Sequence, residues 1–442
     1  MSIELNKIQI ANTNRVNSNF QMISYRGTTA PLQNDMVELS TNKKGMSKGV
    51  KWFLGIFGSI AAMGIAAKYG YKAYINRAFK KKCSFLQLPE NIEFKQANSI
   101  EDAIKFAKET LRIKEVDKDF SLDVLNMINK ELVHISNLQK GKICMPQALR
   151  FKDLGEYTRG HIHSNIRYST FGEIGINKTL FNNEVLDKQI DRLISLRKKY
   201  FMPEGTKLEK PQFETFHQYD IYKPNIDKKF MNLVEKYTKD KNSLSIKEKV
   251  DLNLSLYRMD EKITMHAHSP ETFYKINKDK LKEFGIDVDI EKYAKMNPGE
   301  RLKHDMNIYD TLEKNHQFIP IDIEYVPAER IIRHEMGHLQ DYAKNYKEIY
   351  RSGNELDRWN DDIERIKKKL NAEKTKEYIK KHYPLTCEFI KPENQNIAAE
   401  VSTYAKTDIA EFIAETYADL LAGKNFSDEV MALYKKFNGP II

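Results

Sequence analysis

The chain has 442 residues, 30% of them charged and 41% hydrophobic, which is enough for one large folded domain with extensions. Its three cysteines, Cys83, Cys144 and Cys387, are odd in number and far apart, so they form neither a disulfide framework nor a cysteine-based zinc pattern. The net charge of +10 does not mark a nucleic-acid binder: residues 1–82 hold 13 basic and three acidic side chains, and the other 360 residues carry 59 of each. A nucleic-acid binder should carry its excess charge on the folded domain; here it flanks an apolar segment, which points to a membrane surface.

In chain order, residues 1–48 are rich in Asn, Ser and Thr and lack apolar periodicity, the composition of a disordered polar tail. The segment WFLGIFGSIAAMGIAA (52–67) is free of charge and lies within a basic stretch, 49–82. As a helix it spans roughly 24 Å, short of the ~30 Å hydrocarbon core. Extension to Ile75 with Lys68 and Lys72 snorkelling makes the length adequate for a single-pass membrane helix. The competing reading is a Gly/Ala-rich helix on the protein surface or buried within it. The 51 mostly polar residues before the segment argue against a cleaved signal peptide. Four basic residues precede it (43–51) and six follow (68–82), which tilts the remaining chain toward the cytoplasm.

From 83 onward a soluble domain is expected. SIEDAIKFAKETLRI (99–113) and SLDVLNMINKELVHISNL (121–138) read as helices, the first with Ser99 at its N-cap. RYSTFGEIGIN (167–177) reads as strand, two strands with a turn near Gly172, and 171–177 is expected at the sheet edge. Residues 184–310 are polar and helical in pattern, a long insertion. IERIKKKLNAEKTKEYIKKH (363–382) is a charged helix within a solvated arm spanning 351–395. DIAEFIAETYADLLAG (408–423) closes on Gly423, where a C-terminal cap belongs.

The chemistry centres on RHEMGHLQDY (333–342), which contains H-E-x-x-H. Histidines four apart share one helix face, so His334 and His338 can reach one ion. A third ligand must come from elsewhere. A metzincin extension is excluded, because Asp341 and Lys344 stand where a glycine and a histidine belong. Glu355 and Asp357 lie in a stretch charged on all faces. The better source is EFIAE, where Glu411 and Glu415 lie four apart within an apolar helix and need cationic partners to offset desolvation. Glu411 has a second reading, since Asp408-x-x-Glu411 spells a capping box. His161-x-His163 and His266-x-His268, with no nearby Glu or Cys, read as ordinary histidines.

HEMGH followed by STYAKTDIAEFIAE resembles the gluzincin family of anthrax lethal factor and its relatives, including the Pro-Pro endopeptidases. In that family a Tyr precedes by seven residues the Glu of an E-x-x-A-E segment; here these are Tyr404 and Glu411. The resemblance covers about the last 110 residues well. It implies an α+β zincin-like metallopeptidase domain over 83–442, with a small mixed sheet, an active-site helix and large helical insertions. It further implies Zn2+ held by His334, His338 and Glu411, Glu335 as general base, Tyr404 at the oxyanion, and Glu415 hydrogen-bonded to a metal-bound imidazole. The function expected is a membrane-tethered zinc endopeptidase acting on a polypeptide. The alternative is a catalytically silent protein of the same fold that binds a partner at the membrane. The 72 residues between His338 and Glu411 and the 184–310 segment depart from the family, so substrate does not carry over.

Overall fold

The computed structural model describes residues 83–155, 158–162, 170–201, 222–268, 277–315, 319–352 and 372–442, with Arg77, Tyr274 and Gln317 besides. These belong to one compact unit, 67–442. The polar tail, the 52–67 segment, His163 and the 353–371 stretch with Glu355, Asp357 and Trp359 lie outside them. Among the described residues, no helix is long and apolar enough to cross a membrane.

The fold mixes many helices with a small sheet of four strands. Their order is Glu115–Val116, Ala148–Lys152, Glu173–Asn177 and Gly160–Ile162. The first three run parallel, and Gly160–Ile162 is antiparallel to its neighbour. The strand at 173–177 begins just after Gly172, whose φ of +77° turns the chain. It is internal, so the expectation that 171–177 forms the edge is corrected: among the described residues the edges are Glu115–Val116 and, beside this strand, Gly160–Ile162. All five residues of the internal strand, Glu173 to Asn177, are buried, so both of its faces are covered. His161 faces Gly175 across the pair, and its ring occupies the space a side chain at Gly175 would need.

The 184–310 segment is mostly helical, as expected, but it is not an appendage. Its strand Tyr222–Ile226 pairs in parallel with Ile319–Ile323. Its helix Ile246–His268 buries every residue from Lys249 to Leu256. A helix enclosed on all faces loses the amphipathic stripe by which core helices are recognised. This helix sets the start of the H-E-x-x-H helix, Glu329–Ser352: Asp251 accepts the Ala328 N–H at 2.7 Å, and Ser255 Oγ accepts the Val326 N–H at 2.8 Å. The helix Ala372–His382 exposes Glu373, Lys374, Glu377, Lys380 and Lys381, as a solvated arm should; the expectation is corrected only from Tyr383 onward, where Tyr383, Thr386 and Phe389 are buried. Short helices Pro384–Phe389 and Pro392–Val401 bury Phe389, Ala398 and Val401 with Phe412 and Leu433 in a second apolar cluster. Proline opens each helix at its first turn, where a missing N–H costs nothing.

Candidate metal centre

Two helices build the site. The motif helix Glu329–Ser352 carries His334, Glu335 and His338; the carboxylate helix Ile409–Leu421 carries Glu411 and Glu415. The carboxylate helix is well delimited. Asp408 Oδ1 accepts the Glu411 N–H at 2.9 Å, so half of the capping box forms, while the Glu411 carboxylate turns to the histidines instead. At the other end Gly423, at φ +81°, donates to Leu420 O and Lys424 donates to Asp419 O, which closes a Schellman motif.

The helices meet at Gly337. A Cβ there would lie 2.8 Å from Ala414 Cα and 3.2 Å from Ala414 O, both backbone atoms. Glycine inside a helix costs about 1 kcal/mol relative to alanine, yet here it permits the approach that brings Glu411 to the histidines. Gly337→Ala should therefore lower stability by about 1–3 kcal/mol, the usual cost of overpacking, and weaken metal binding together with it. Thermal unfolding with and without metal tests this; a variant more stable than wild type would remove Gly337 from the account.

The motif helix is held from several directions. Arg333 makes a two-pronged pair with buried Glu131, at 2.7 and 3.2 Å. The Gln340 side chain pairs with both backbone groups of Cys144. Cys83 Sγ points at Leu339 O and lies 3.4 Å from Cys144 Sγ, both as buried thiols.

His334 Nε2 and His338 Nε2 lie 3.2 Å apart, and Glu411 Oε2 lies 3.2 and 3.4 Å from them. Four bonds of ~2.0–2.1 Å in a tetrahedron set their ligand atoms ~3.3–3.4 Å apart. Glu411 Oε2 is buried and makes no hydrogen bond of acceptable geometry. These three residues can therefore hold a metal ion. His334 Nδ1 lies 2.9 Å from Glu415 Oε1, which orients that imidazole. His338 is oriented differently, by its ring stacked 6.1 Å from that of Tyr342.

Glu335 is nearly buried, and Gly160 of the edge strand stands over it: a Cβ at Gly160 would come 2.9 Å from Glu335 Oε1. Burial raises the Glu335 carboxyl above its ordinary value, with Glu411 and Glu415 adding to the effect and the two histidines opposing it. Tyr404, half-exposed on the 3-10 turn Tyr404–Lys406, donates its hydroxyl to Glu411 Oε1 at 3.0 Å. Burial of the phenol and the neighbouring Glu411 raise its pKa, so it stays protonated and able to donate.

Burial disfavours charge on His334, but the adjacent Glu411 and Glu415 carboxylates outweigh it and push its pKa up to about 10. Burial likewise disfavours charge on Glu411, and the imidazoles outweigh it, holding that carboxyl well below its usual range. In metal-stripped protein the His334 contribution to stability is thus full below about pH 6.5 and is lost as pH rises through about 10. A metal ligand must be neutral imidazole, so ion uptake at pH 7 should release a proton from His334, and apparent affinity should rise with pH. Titration calorimetry in buffers of different ionisation enthalpy reads that proton directly; zero release would mean the imidazoles are already neutral.

Sequence reasoning missed what surrounds these groups. Arg330 grips both oxygens of Glu415, at 3.2 and 3.0 Å, and Asp419 Oδ1 at 2.9 Å. Arg258, from the helix at 246–268, lies 3.9 Å from Glu415 and 3.6 Å from Asp419. Burial raises the Glu415 carboxyl, but Arg330 and His334 lower it further, to well below its usual range. One signal was available: Glu415 and Asp419 are acids four apart on an apolar helix, and both needed cations.

No known protein family, curated protein or solved structure matches this chain.

Proposed function

We propose that the chain is a zinc-dependent endopeptidase with a zincin-like domain, tethered to a membrane through residues 52–67. One observation carries the reading. Two Nε2 atoms and one carboxylate oxygen converge at the spacing of a tetrahedral ion, with a buried carboxylate that is not a ligand beside them. That donor set suits zinc, because neutral imidazoles and a single carboxylate leave a coordination position open. When bound, zinc supplies Lewis acidity, lowering the pKa of water toward ~7 and polarising a carbonyl.

The remaining steps fall to the chain's own residues. Glu335 takes the proton of the attacking water and passes it to the leaving amine nitrogen. Its raised pKa suits both halves of that transfer. The Tyr404 hydroxyl leaves Glu411 and donates to the carbonyl oxygen as negative charge builds there. The strand Gly160–Ile162 is the sheet edge beside Glu335, and an extended peptide can pair with it through backbone groups. Glycine at 160 brings that backbone close to the base. The test is metal content together with cleavage of a random peptide library by wild-type protein. Zinc retention with sequence-dependent cleavage is the expected result. Zinc retention without cleavage of any peptide would favour the silent, partner-binding alternative.

A further inference from the structure

We infer that Glu261 and Arg258, neighbours on the helix Ile246–His268, are positioning residues that clamp Tyr404 over the metal centre. This rests on the reading of Tyr404 as the donor to the substrate carbonyl oxygen.

Tyr404 needs outside support. The helix Pro392–Val401 ends at Ser402, whose backbone is fully extended at φ −166° and ψ 164°. The next turn, Tyr404–Lys406, is three residues long, and the Thr403 side chain at its N-cap position makes no capping hydrogen bond. A turn that short has little stability of its own. The tyrosine is 50% exposed, so packing alone does not fix its position.

Glu261 Oε1 accepts the N–H of Thr403 at 2.9 Å and that of Tyr404 at 3.3 Å. Arg258 Nη2 donates to the Val401 carbonyl at 2.7 Å, and its Nη1 donates to Glu261 Oε2 at 3.0 Å. Two side chains from one helix thus hold the carbonyl before the break and the two amides after it. Ser402 Oγ closes the turn internally by accepting the Ala405 N–H, but that bond does not place the turn relative to the motif helix. Arg258 does, because the same guanidinium faces Glu415, which in turn orients His334. The tyrosine and the imidazole are thereby registered to one cation. A displacement of about 1 Å in such a group can cost about 100-fold in rate, so a clamp distant from the chemistry has a measurable effect.

The test uses Glu261, since Arg258 is buried among carboxylates and its loss could unfold the protein. Glu261→Ala removes both acceptors, whereas Glu261→Gln keeps an oxygen for the two amides and gives up only the acceptor facing Arg258 Nη1. In the full chain with zinc bound, Glu261→Ala should lower kcat by about 10- to 100-fold with KM and zinc content little changed. Glu261→Gln should recover most of the rate. In a Tyr404→Phe background Glu261→Ala should have no further effect, because it acts through the hydroxyl that is already gone. Hydrogen exchange gives a readout independent of turnover: the Thr403 and Tyr404 amides should lose protection in Glu261→Ala, while those of Ile409–Leu421 keep it. Equal losses of rate in both backgrounds, or protected 403–404 amides in Glu261→Ala, overturn the clamp. Should wild-type protein hold zinc and cleave nothing, the proposed function fails, and the exchange result still decides whether Glu261 holds the turn.

Discussion

Glu335→Gln should leave metal content unchanged and lower peptide hydrolysis by ~10²–10⁴-fold, the range for loss of a positioned general base. His334 and His338 share one face of the motif helix, and Glu335 lies about 100° round from His334, so it cannot join the same donor set. The carboxylate is nearly buried beneath Gly160, and burial raises its pKa toward the range where it can both accept and return a proton. Glutamine fills the same volume beneath that glycine, so loss of activity cannot be assigned to a collapsed strand. It offers no comparable basic oxygen. Matched metal analysis and steady-state kinetics on one preparation separate the outcomes. Wild-type turnover in the Gln variant would remove Glu335 from the chemistry; loss of the metal would make it part of the binding site instead.

The second large effect is on stability. Arg330→Met should destabilise the fold by about 3–5 kcal/mol, the cost of breaking a buried ion pair on one side. Arg330 grips Glu415 and Asp419, and both acids are nearly buried. Arg258 stands farther from each and already serves Glu261 and Val401, so it compensates only in part. The loss also has a pH signature. With Arg330 present, Glu415 is held well below its usual value, so its contribution is full above about pH 4.5 and lost only as pH falls through the lowered value. Without the arginine burial pushes that carboxyl up, and once it exceeds the unfolded value of about 4.5 its ionisation opposes folding, so the variant loses more stability at pH 8 than at pH 5. Denaturant melts at pH 5 and pH 8 should diverge more in Arg330→Met than in wild type; parallel curves would show that His334 and Arg258 hold the charge on Glu415 without Arg330.

The elements that place the candidate ligands were legible because their signals are local. His334 and His338 are one helical turn apart, as are Glu411 and Glu415, and the caps at Asp408 and Gly423 follow short-range rules. The network behind them was not, for equally physical reasons. Arg258 sits in a polar-looking stretch, and its partner Val401 lies 143 residues away. Glu261 and Thr403 are 142 residues apart. The helix carrying both clamp residues is enclosed on every side from Lys249 to Leu256, so those buried positions have no period to detect. The edge strand Gly160–Ile162 is three residues long, too short for alternation to show. The apolar positions between Tyr383 and Val401 are divided among short helices opened by Pro384 and Pro392, which hid a continuous packed face behind the adjacent charges.

The contacts that hold the motif helix span long stretches of chain. Arg333 reaches back 202 residues to Glu131, Gln340 reaches 196 to Cys144, and Gln139 meets Tyr417 across 278. Each such loop must close, at an entropic cost, before its contact can contribute. Topologies dominated by distant pairings fold slowly. The donor trio itself joins two helices, with 72 residues between His338 and Glu411, so metal affinity should be a late product of folding and not a seed for it. Refolding followed by metal uptake should lag refolding followed by helix content. Until those loops close, HEMGH is only a charged helical turn.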